Sequence, residues 1–398
     1  MEPVAILAAA RTPIGRFLGG LSSVPARVLG VTAAREAMAR AGVAPSEIDE
    51  TIFGMARQAG NGPNPGRQVG VLSGVPVETP GWTVNQACAS GLKAVTLGAA
   101  AIRTGDARLV LCGGMESMSR VPFYLESARL GYRLGHGEVV DGMYRDGFHC
   151  PLADQLMGRT AETLAERDGI SRREQDELAL ESQRRAGAAW SEGRFDAEIV
   201  TVDVPGKGGS VATVARDEHP RGDTTLEGLA KLPAVFKSGG TVHAGNSSGI
   251  TDGAAALVLA SASEAERRGV EPLGWILGWA SAGVDPRIMG IGPVPATRKL
   301  LESLGAKLED FDLVELNEAF AAQVLAVARE LKLDLARTNV NGGAIALGHP
   351  IGATGARILT TLLHEMRRRG VPRGLATLCV SGGMGFSMAV SRERPRAG

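Results

Sequence analysis

The sequence predicts an α/β fold of two related halves around a mostly parallel sheet, with a long irregular insertion in the first half. Three observations carry that expectation. Short apolar runs alternate with amphipathic stretches at both ends of the chain, the pattern of strands and helices taken in turn. Between residues 117 and 245 the alternation lapses into polar, irregular segments. Two pairs of segments also echo each other: VNQACASGLKA (84–94) with VNGGAIALGHP (340–350), and LVLCGGMESMS (109–119) with LATLCVSGGMGFS (375–387).

The elements follow in order. VAILAA (4–9) is a strand, and 27–41 reads as a helix closed by Gly42, the residue best suited to a left-handed C-terminus. WTV (82–84) is a short strand leading to a helix that begins at Cys88, runs to Arg103 and stops at Gly105; ARLVLCGG (107–114) is then a buried strand. Within the insertion, TAETLAERDG (160–169) is helical, and Ser171 with Glu174 has the spacing of a capping box. Strands return at GAAALVLAS (253–261), GWILGWAS (274–281) and DLVEL (312–316); a helix starts near Ala319, and GLATLCVSGG (374–383) closes the pattern.

Composition narrows the function. The 398 residues carry 43 basic and 43 acidic side chains, which argues against a dedicated nucleic-acid or membrane-surface partner. Aromatics are 4% and glycines number 54, so the core is built from small aliphatics and close backbone contacts. The four cysteines (88, 112, 150, 379) contain no CxxC pair, which excludes a zinc ribbon or thioredoxin motif, and no metal site is expected. Met1-Glu2-Pro3 lacks a basic start and VAILAAA is too short to span a bilayer, so the expectation is a cytoplasmic protein with reduced thiols.

Four positions carry chemistry. Cys88 sits among Ala87, Ala89, Ser90 and Gly91, where a carbonyl can approach, at a helix start that favours the thiolate. A structural cysteine is the other reading that these neighbours allow. His349, followed by Pro350, lies in the glycine-rich NGGAIALGHPIGATGAR (341–357) and could act as a general base or be incidental to the turn. The glycines at 348, 352 and 355 lack the preceding strand and the spacing of a dinucleotide loop. Cys379 opens CVSGGMG at a strand end, where open sheets place reactive groups, or simply completes a buried strand. Asn317, in ELNEAF (315–320), could cap a helix or hold a water or a carbonyl oxygen.

Together NQACASGLKA, LNEAF, NVNGGAIALGHPIGATGAR and CVSGGMG resemble the thiolase family in order and spacing. The resemblance extends to ARTPIGRFLGGL (10–21), CGGMESMS (112–119) and AGNSSGITDGA (244–254), covering nearly the whole chain. It implies a duplicated, layered α/β core with two five-stranded mixed sheets and an inserted loop domain. On that pattern 1–116 and 246–268 form the first half, 117–245 the insertion and 269–398 the second half. It further implies an acyltransferase that cleaves 3-ketoacyl-CoA with coenzyme A or runs in reverse as a Claisen condensation. Coenzyme A is then a substrate and no cofactor is needed; the assembly would be a homodimer or homotetramer.

By the same resemblance Cys88 is the nucleophile, His349 its base, and Cys379 the second proton carrier. Backbone N–H groups of Cys88 and Ser381 would hold one oxyanion; His349 with a water on Asn317 would hold the enolate. Ser248 and Arg221 would meet coenzyme A, and Met157 and Phe320 would line the acyl end, although core packing or a solvated charge would otherwise explain these three last residues. Two positions depart from the family pattern. Ser381 stands where C-x-G-G-G has glycine, so a positive φ there would be strained. Leu156 stands where short-chain biosynthetic members commonly have histidine, which favours a broader 3-ketoacyl-CoA enzyme over one restricted to acetoacetyl-CoA. Intact Cys88, Asn317, His349 and Cys379 disfavour a non-catalytic acyl-CoA or lipid carrier. Cys112, Cys150 and His149 carry no expected role.

Overall fold

The computed structural model describes residues 2–395. Nine strands form its main ladder: β1 (Val4–Arg11), β2 (Glu50–Gly54), β3 (Gly81–Val84), β4 (Leu109–Ser117), β5 (Thr251–Ser261), β6 (Gly274–Gly283), β7 (Leu313–Leu316), β8 (Arg373–Val380) and β9 (Met384–Ser391). Their spatial order is β7-β8-β9-β6-β1-β5-β4-β2-β3, with the two-residue Gly15–Arg16 strand added beside β5.

The pairing demonstrates the duplication. In the first half β2–β4 is parallel and β4–β5 and β5–β1 are antiparallel; in the second β7–β8 is parallel and β8–β9 and β9–β6 are antiparallel. Beyond β2 lies the parallel strand β3, and at the matching place beyond β7 lies a single parallel bridge, Val314 to Thr338. The halves meet edge to edge where Val4 pairs with Ile276 and Ile6 with Gly274.

The sheet is therefore mixed, which corrects the expectation of a mostly parallel one. Parallel pairing requires a crossover between strands. None separates β8 from β9: the chain reverses across three residues, Ser381 to Gly383. Residues 118–250 likewise leave the sheet after β4 and return it antiparallel as β5.

Among the described residues, seven helices of eleven or more residues complete the layers: α1 (Ala26–Ala41), α2 (Ser90–Thr104), α3 (Met157–Arg167), α4 (Arg172–Ser191), α5 (Pro293–Leu304), α6 (Ala321–Leu331) and α7 (Ile351–Arg369). Helix α1 ends at Gly42 with φ 61° and α2 at Gly105 with φ 84°, as the sequence requires. The Ser171–Glu174 capping box is present at α4. Outer helix α1 buries Leu29 and Ala33 against Leu111 and Val258. Helices α5 and α6 do the same for the second half, through Leu300 and Val324 against Leu316 and Leu375. Between the halves, Leu92 and Val95 of α2 share one core with Ile358 and Leu359 of α7, Leu257 and Leu378.

Helices α2 and α7 touch backbone to backbone. A Cβ on Gly355 would lie 2.5 Å from the amide nitrogen of Leu92, and one on Gly91 would lie 2.8 Å from that of Ala356. Gly355→Val should therefore push the helices apart, costing about 1–3 kcal/mol or more. Gly187→Ala in α4, where nothing lies within 4 Å, should stabilise by roughly 0.5–1 kcal/mol. Chemical denaturation of both variants checks the pair, and equal effects would contradict the contact.

Candidate active site

Strand β3 ends at Val84 and the next residues form a braced turn. Asn85 Oδ1 accepts from the Ala87 amide at 2.9 Å, and Ser90 Oγ accepts from the Gln86 amide at 2.9 Å while donating to the Ala87 carbonyl at 2.6 Å. These bonds hold Ala87 at φ 45°, a left-handed conformation that a residue with a Cβ rarely adopts. The strain sets Cys88 into a single 3₁₀ turn, Ala87–Ala89, just ahead of α2.

The backbone N–H groups of Ser381 and of Cys88 itself are both directed at the Cys88 sulfur. Burial nonetheless pushes this thiol above its ordinary value, outweighing those two donors and the nearby Arg57 charge. The expectation of a lowered pKa is thus corrected. Cys88 precedes the helix rather than opening it, and loss of solvation is the larger effect.

His349 compensates. It is buried, and desolvation, with the Arg357 and Arg57 charges, drives its pKa down to about 3. The imidazole is therefore neutral near pH 7. Thr354 Oγ1 donates to the Pro350 carbonyl at 3.0 Å, so it accepts from His349 Nδ1–H at 2.6 Å. That network assigns the lone pair to Nε2, the nitrogen left for a substrate or a thiol. No strand leads into this segment; the short helix Ala344–Leu347 precedes it, in line with the weak dinucleotide-loop reading.

Cys379 ends β8 fully buried, and burial followed by the proximity of Cys88 raises its pKa well above the usual thiol value. Two residues on, Ser381 keeps a φ outside the left-handed region, while Gly382 (87°) and Gly383 (86°) take the positive angles of the turn. The strain expected at Ser381 is absent for that reason. Asn317 follows β7, its amide bonded to the Thr377 carbonyl at 3.0 Å. Its side chain is buried with neither Oδ1 nor Nδ2 paired to a described protein group.

A cavity of about 380 Å³ gathers the remaining positions. Cys88, His349, Cys379 and Ser381 border it, as do Ser248, Arg221, Leu156, Met157 and Phe320. Asn317 is buried and is not among the residues that border it. Met157 and Phe320 pack against the small cluster of Met289, Ala319 and Cys379, so both are core and cavity wall at once. Two backbone bonds lock the cavity loops together: the Ser248 amide to the Ala319 carbonyl at 3.0 Å, and the His349 amide to the Gly249 carbonyl at 3.1 Å. Arg221 is exposed at the rim. Cys112 and Cys150 are buried away from the cavity, and His149 faces Asp154 at 3.2 Å. Sequence reading missed Arg57, His219, Tyr144 and Phe148 in the wall. None lies in a segment with a chemical pattern of its own.

A cysteine, a neutral histidine and a second thiol, set between two duplicated α/β halves, define a protein of the thiolase family. The chain belongs to that family: the thiolase N-terminal domain matches residues 4–263 and the thiolase C-terminal domain residues 270–392. It is 51% identical over 393 residues to the acetyl-CoA acetyltransferase of Pseudomonas aeruginosa, covering 99% of this chain and 100% of that one. The crystal structure of Bacillus anthracis acetyl-CoA acetyltransferase superimposes with a TM-score of 0.96 at 46% identity, covering 98% of this chain and 99% of that one. Human mitochondrial 3-ketoacyl-CoA thiolase in complex with CoA gives 0.94 at 43% identity, with 98% of both chains covered.

The low pKa of His349 makes a stability prediction. An unfolded imidazole binds its proton near 6.5 and the folded one only near 3, so between these values the unfolded chain holds the extra proton. The contribution of His349 is complete above 6.5 and is lost as pH falls through that window. In urea titrations at about pH 7 and about pH 5, the wild type should lose more stability on acidification than His349→Gln does. An identical loss would show that His349 titrates normally.

Proposed function

We propose that this protein is a thiolase that transfers an acyl group from a 3-ketoacyl-CoA to coenzyme A, releasing acetyl-CoA, or runs the reverse Claisen condensation. The observation that carries the reading is the convergence of the Cys88 and Ser381 N–H groups on the Cys88 sulfur, in a cavity bordered also by His349 and Cys379.

Cys88 is neutral at rest, and His349 Nε2 takes its proton as the sulfur attacks the keto carbonyl. The resulting oxyanion lies between the two N–H groups, whose positions are fixed before reaction by the Ala87 turn and by the β8–β9 turn. Cleavage of the C2–C3 bond leaves the enolate of acetyl-CoA, to which Cys379 delivers a proton; His349 and a water on Asn317 stabilise the enolate oxygen. A second coenzyme A then attacks the Cys88 thioester. Ser248 and Arg221 meet the coenzyme, and Leu156, Met157, Phe236 and Phe320 give the cavity its apolar wall.

The same reading proposes a cytoplasmic enzyme of fatty-acid metabolism, in keeping with four free cysteines. Among the described residues no helix is long and apolar enough to cross a membrane. It also proposes a homodimer or homotetramer. The unpaired outer edge of β3 and the exposed Leu125, Leu130, Leu134 and Val139 are surfaces that assembly would cover.

Steady-state thiolysis of acetoacetyl-CoA and of a six-to-ten-carbon 3-ketoacyl-CoA series tests the reading, with Cys88→Ala inactive throughout. Folded wild type that cleaves none of them would refute it. Ser381→Gly should keep kcat within a few-fold, since the N–H and an ordinary φ are all that the site asks. Ser381→Pro, which removes the N–H, should lower kcat by about 10²–10³. Equal rates for these two variants would remove Ser381 from the oxyanion site.

A further inference from the structure

Arg57 follows β2 in the GMARQAG loop and is only 7% exposed. Of the other buried guanidinium groups, Arg11 binds Asp217 at 2.8 and 3.0 Å, while Arg357 makes no hydrogen bond and has Glu315 at 3.6 Å as its ion-pair partner. Among the described residues no group accepts a hydrogen bond from the Arg57 guanidinium, whose Nε is buried without a partner. Glu116 lies close enough to feel its charge, but its oxygens are occupied by the backbone N–H groups of Ala56 and Arg57 at 3.1 Å and of Gly352 at 2.8 Å. Across from Arg57 the chain makes room: a Cβ on Gly147 would lie 2.8 Å from both Nε and Nη2. An unpaired buried cation is costly unless something brings it an acceptor.

The surroundings indicate what that acceptor is. Arg57 and Ser381 border two cavities at once, the one that holds Cys88 and a neighbouring chamber of about 470 Å³. The chamber mixes apolar wall residues such as Val121 and Pro151 with the polar Gln58, Asn85, Arg145 and His149. Its other charges are already engaged: Asp146 by the Tyr124 hydroxyl, Arg145 by Glu126 and His149 by Asp154. Among the described residues of this wall, the Arg57 guanidinium is the charged group without such a partner. Arg57 is thus a wall residue of the cavity that holds Cys88 as well as of the chamber.

We propose that Arg57 and this chamber form a subsite for a carboxylate at the far end of the acyl group, so that the preferred substrates are 3-ketoacyl-CoA esters of dicarboxylic acids. The proposal rests on the thiolase reading. A carboxylate supplies two coplanar oxygens to the guanidinium fork, whereas a plain alkyl tail leaves it desolvated and unpaired. With 3-ketoadipyl-CoA, Cys88 sulfur bonds to C3, the C2–C3 bond breaks, and its electron pair remains on C2, which takes a proton from Cys379. Acetyl-CoA leaves, and the succinyl group stays on Cys88 with its carboxylate at Arg57.

The test is the ratio of kcat/KM for thiolysis of 3-ketoadipyl-CoA to that of 3-ketohexanoyl-CoA, in which any effect of Arg57 on Cys88 itself cancels. Wild type should favour the carboxylate about tenfold to a hundredfold, Arg57→Met should erase that preference, and Arg57→Lys should keep part of it. An unchanged ratio in Arg57→Met overturns the proposal, as does a wild-type preference for 3-ketohexanoyl-CoA. So does an Arg57→Met variant that alters assembly in size-exclusion chromatography yet keeps the ratio, since a partner subunit then supplies the acceptor. A second measurement needs no variant: wild type given equal amounts of succinyl-CoA and butyryl-CoA should carry mainly succinyl on Cys88 by mass spectrometry, and mainly butyryl overturns the subsite. Cleavage of acetoacetyl-CoA without 3-ketoadipyl-CoA removes the subsite and leaves the thiolase; cleavage of neither removes both.

Discussion

The rest of the molecule depends on the close crossing of α2 and α7. The nucleophile precedes one helix and the base precedes the other, so the distance between Cys88 and His349 is set by how near two backbones approach. Gly91, Gly352 and Gly355 allow contact at the level of main-chain atoms, including the Met115 carbonyl 2.7 Å from where a Gly352 Cβ would be. Larger residues would add ångströms between the reacting groups, a displacement that catalysis tolerates poorly. Glu116 fixes the same junction by holding Ala56 and Arg57 of one half and Gly352 of the other. Glu318 binds Ser182 at 2.7 Å, Asn339 at 2.9 Å and the Ile345 amide at 3.1 Å, so the insertion is tied to the loop that leads to His349.

Burial also sets the resting charge of the site. It raises both thiols and lowers the imidazole, so Cys88, Cys379 and His349 are all neutral until a substrate arrives. A buried thiolate–imidazolium pair would carry a desolvation cost in every idle molecule. Here charge forms only as a proton moves, next to N–H groups already aimed at it.

Much of this was legible from the chain. The apolar alternation located seven of the nine strands at least in part, because buried strands concentrate aliphatic residues (GAAALVLAS, DLVEL); ETIFG was passed over because its run is short and begins with two polar residues, and Met384–Ser391 because its start reads as part of the glycine turn. Strand direction was not legible, since direction depends on the connections and not on the run itself. Cys88, His349 and Cys379 were visible because each has small residues or glycines close by in the chain, and Asn317 because it stands just past a strand end. The pKa of Cys88 was misjudged because a helix start is a local feature, whereas desolvation comes from residues hundreds of positions away. Arg57 was invisible for the same reason: its isolation is evident only once Gly147 and Glu116 lie around it.

The β1 ladder has a consequence for the order of events during synthesis. Strand β1, Val4–Arg11, pairs with Ala255–Ser261 and with Gly274–Ile276. Its partners therefore do not exist until some 250 residues later, roughly 10–50 s at ordinary elongation rates. For that interval an apolar VAILAAA segment has no edge to join. Such long-range pairing slows folding and exposes aggregation-prone strands. The nascent chain thus has reason to depend on chaperones until the middle of the molecule has been made.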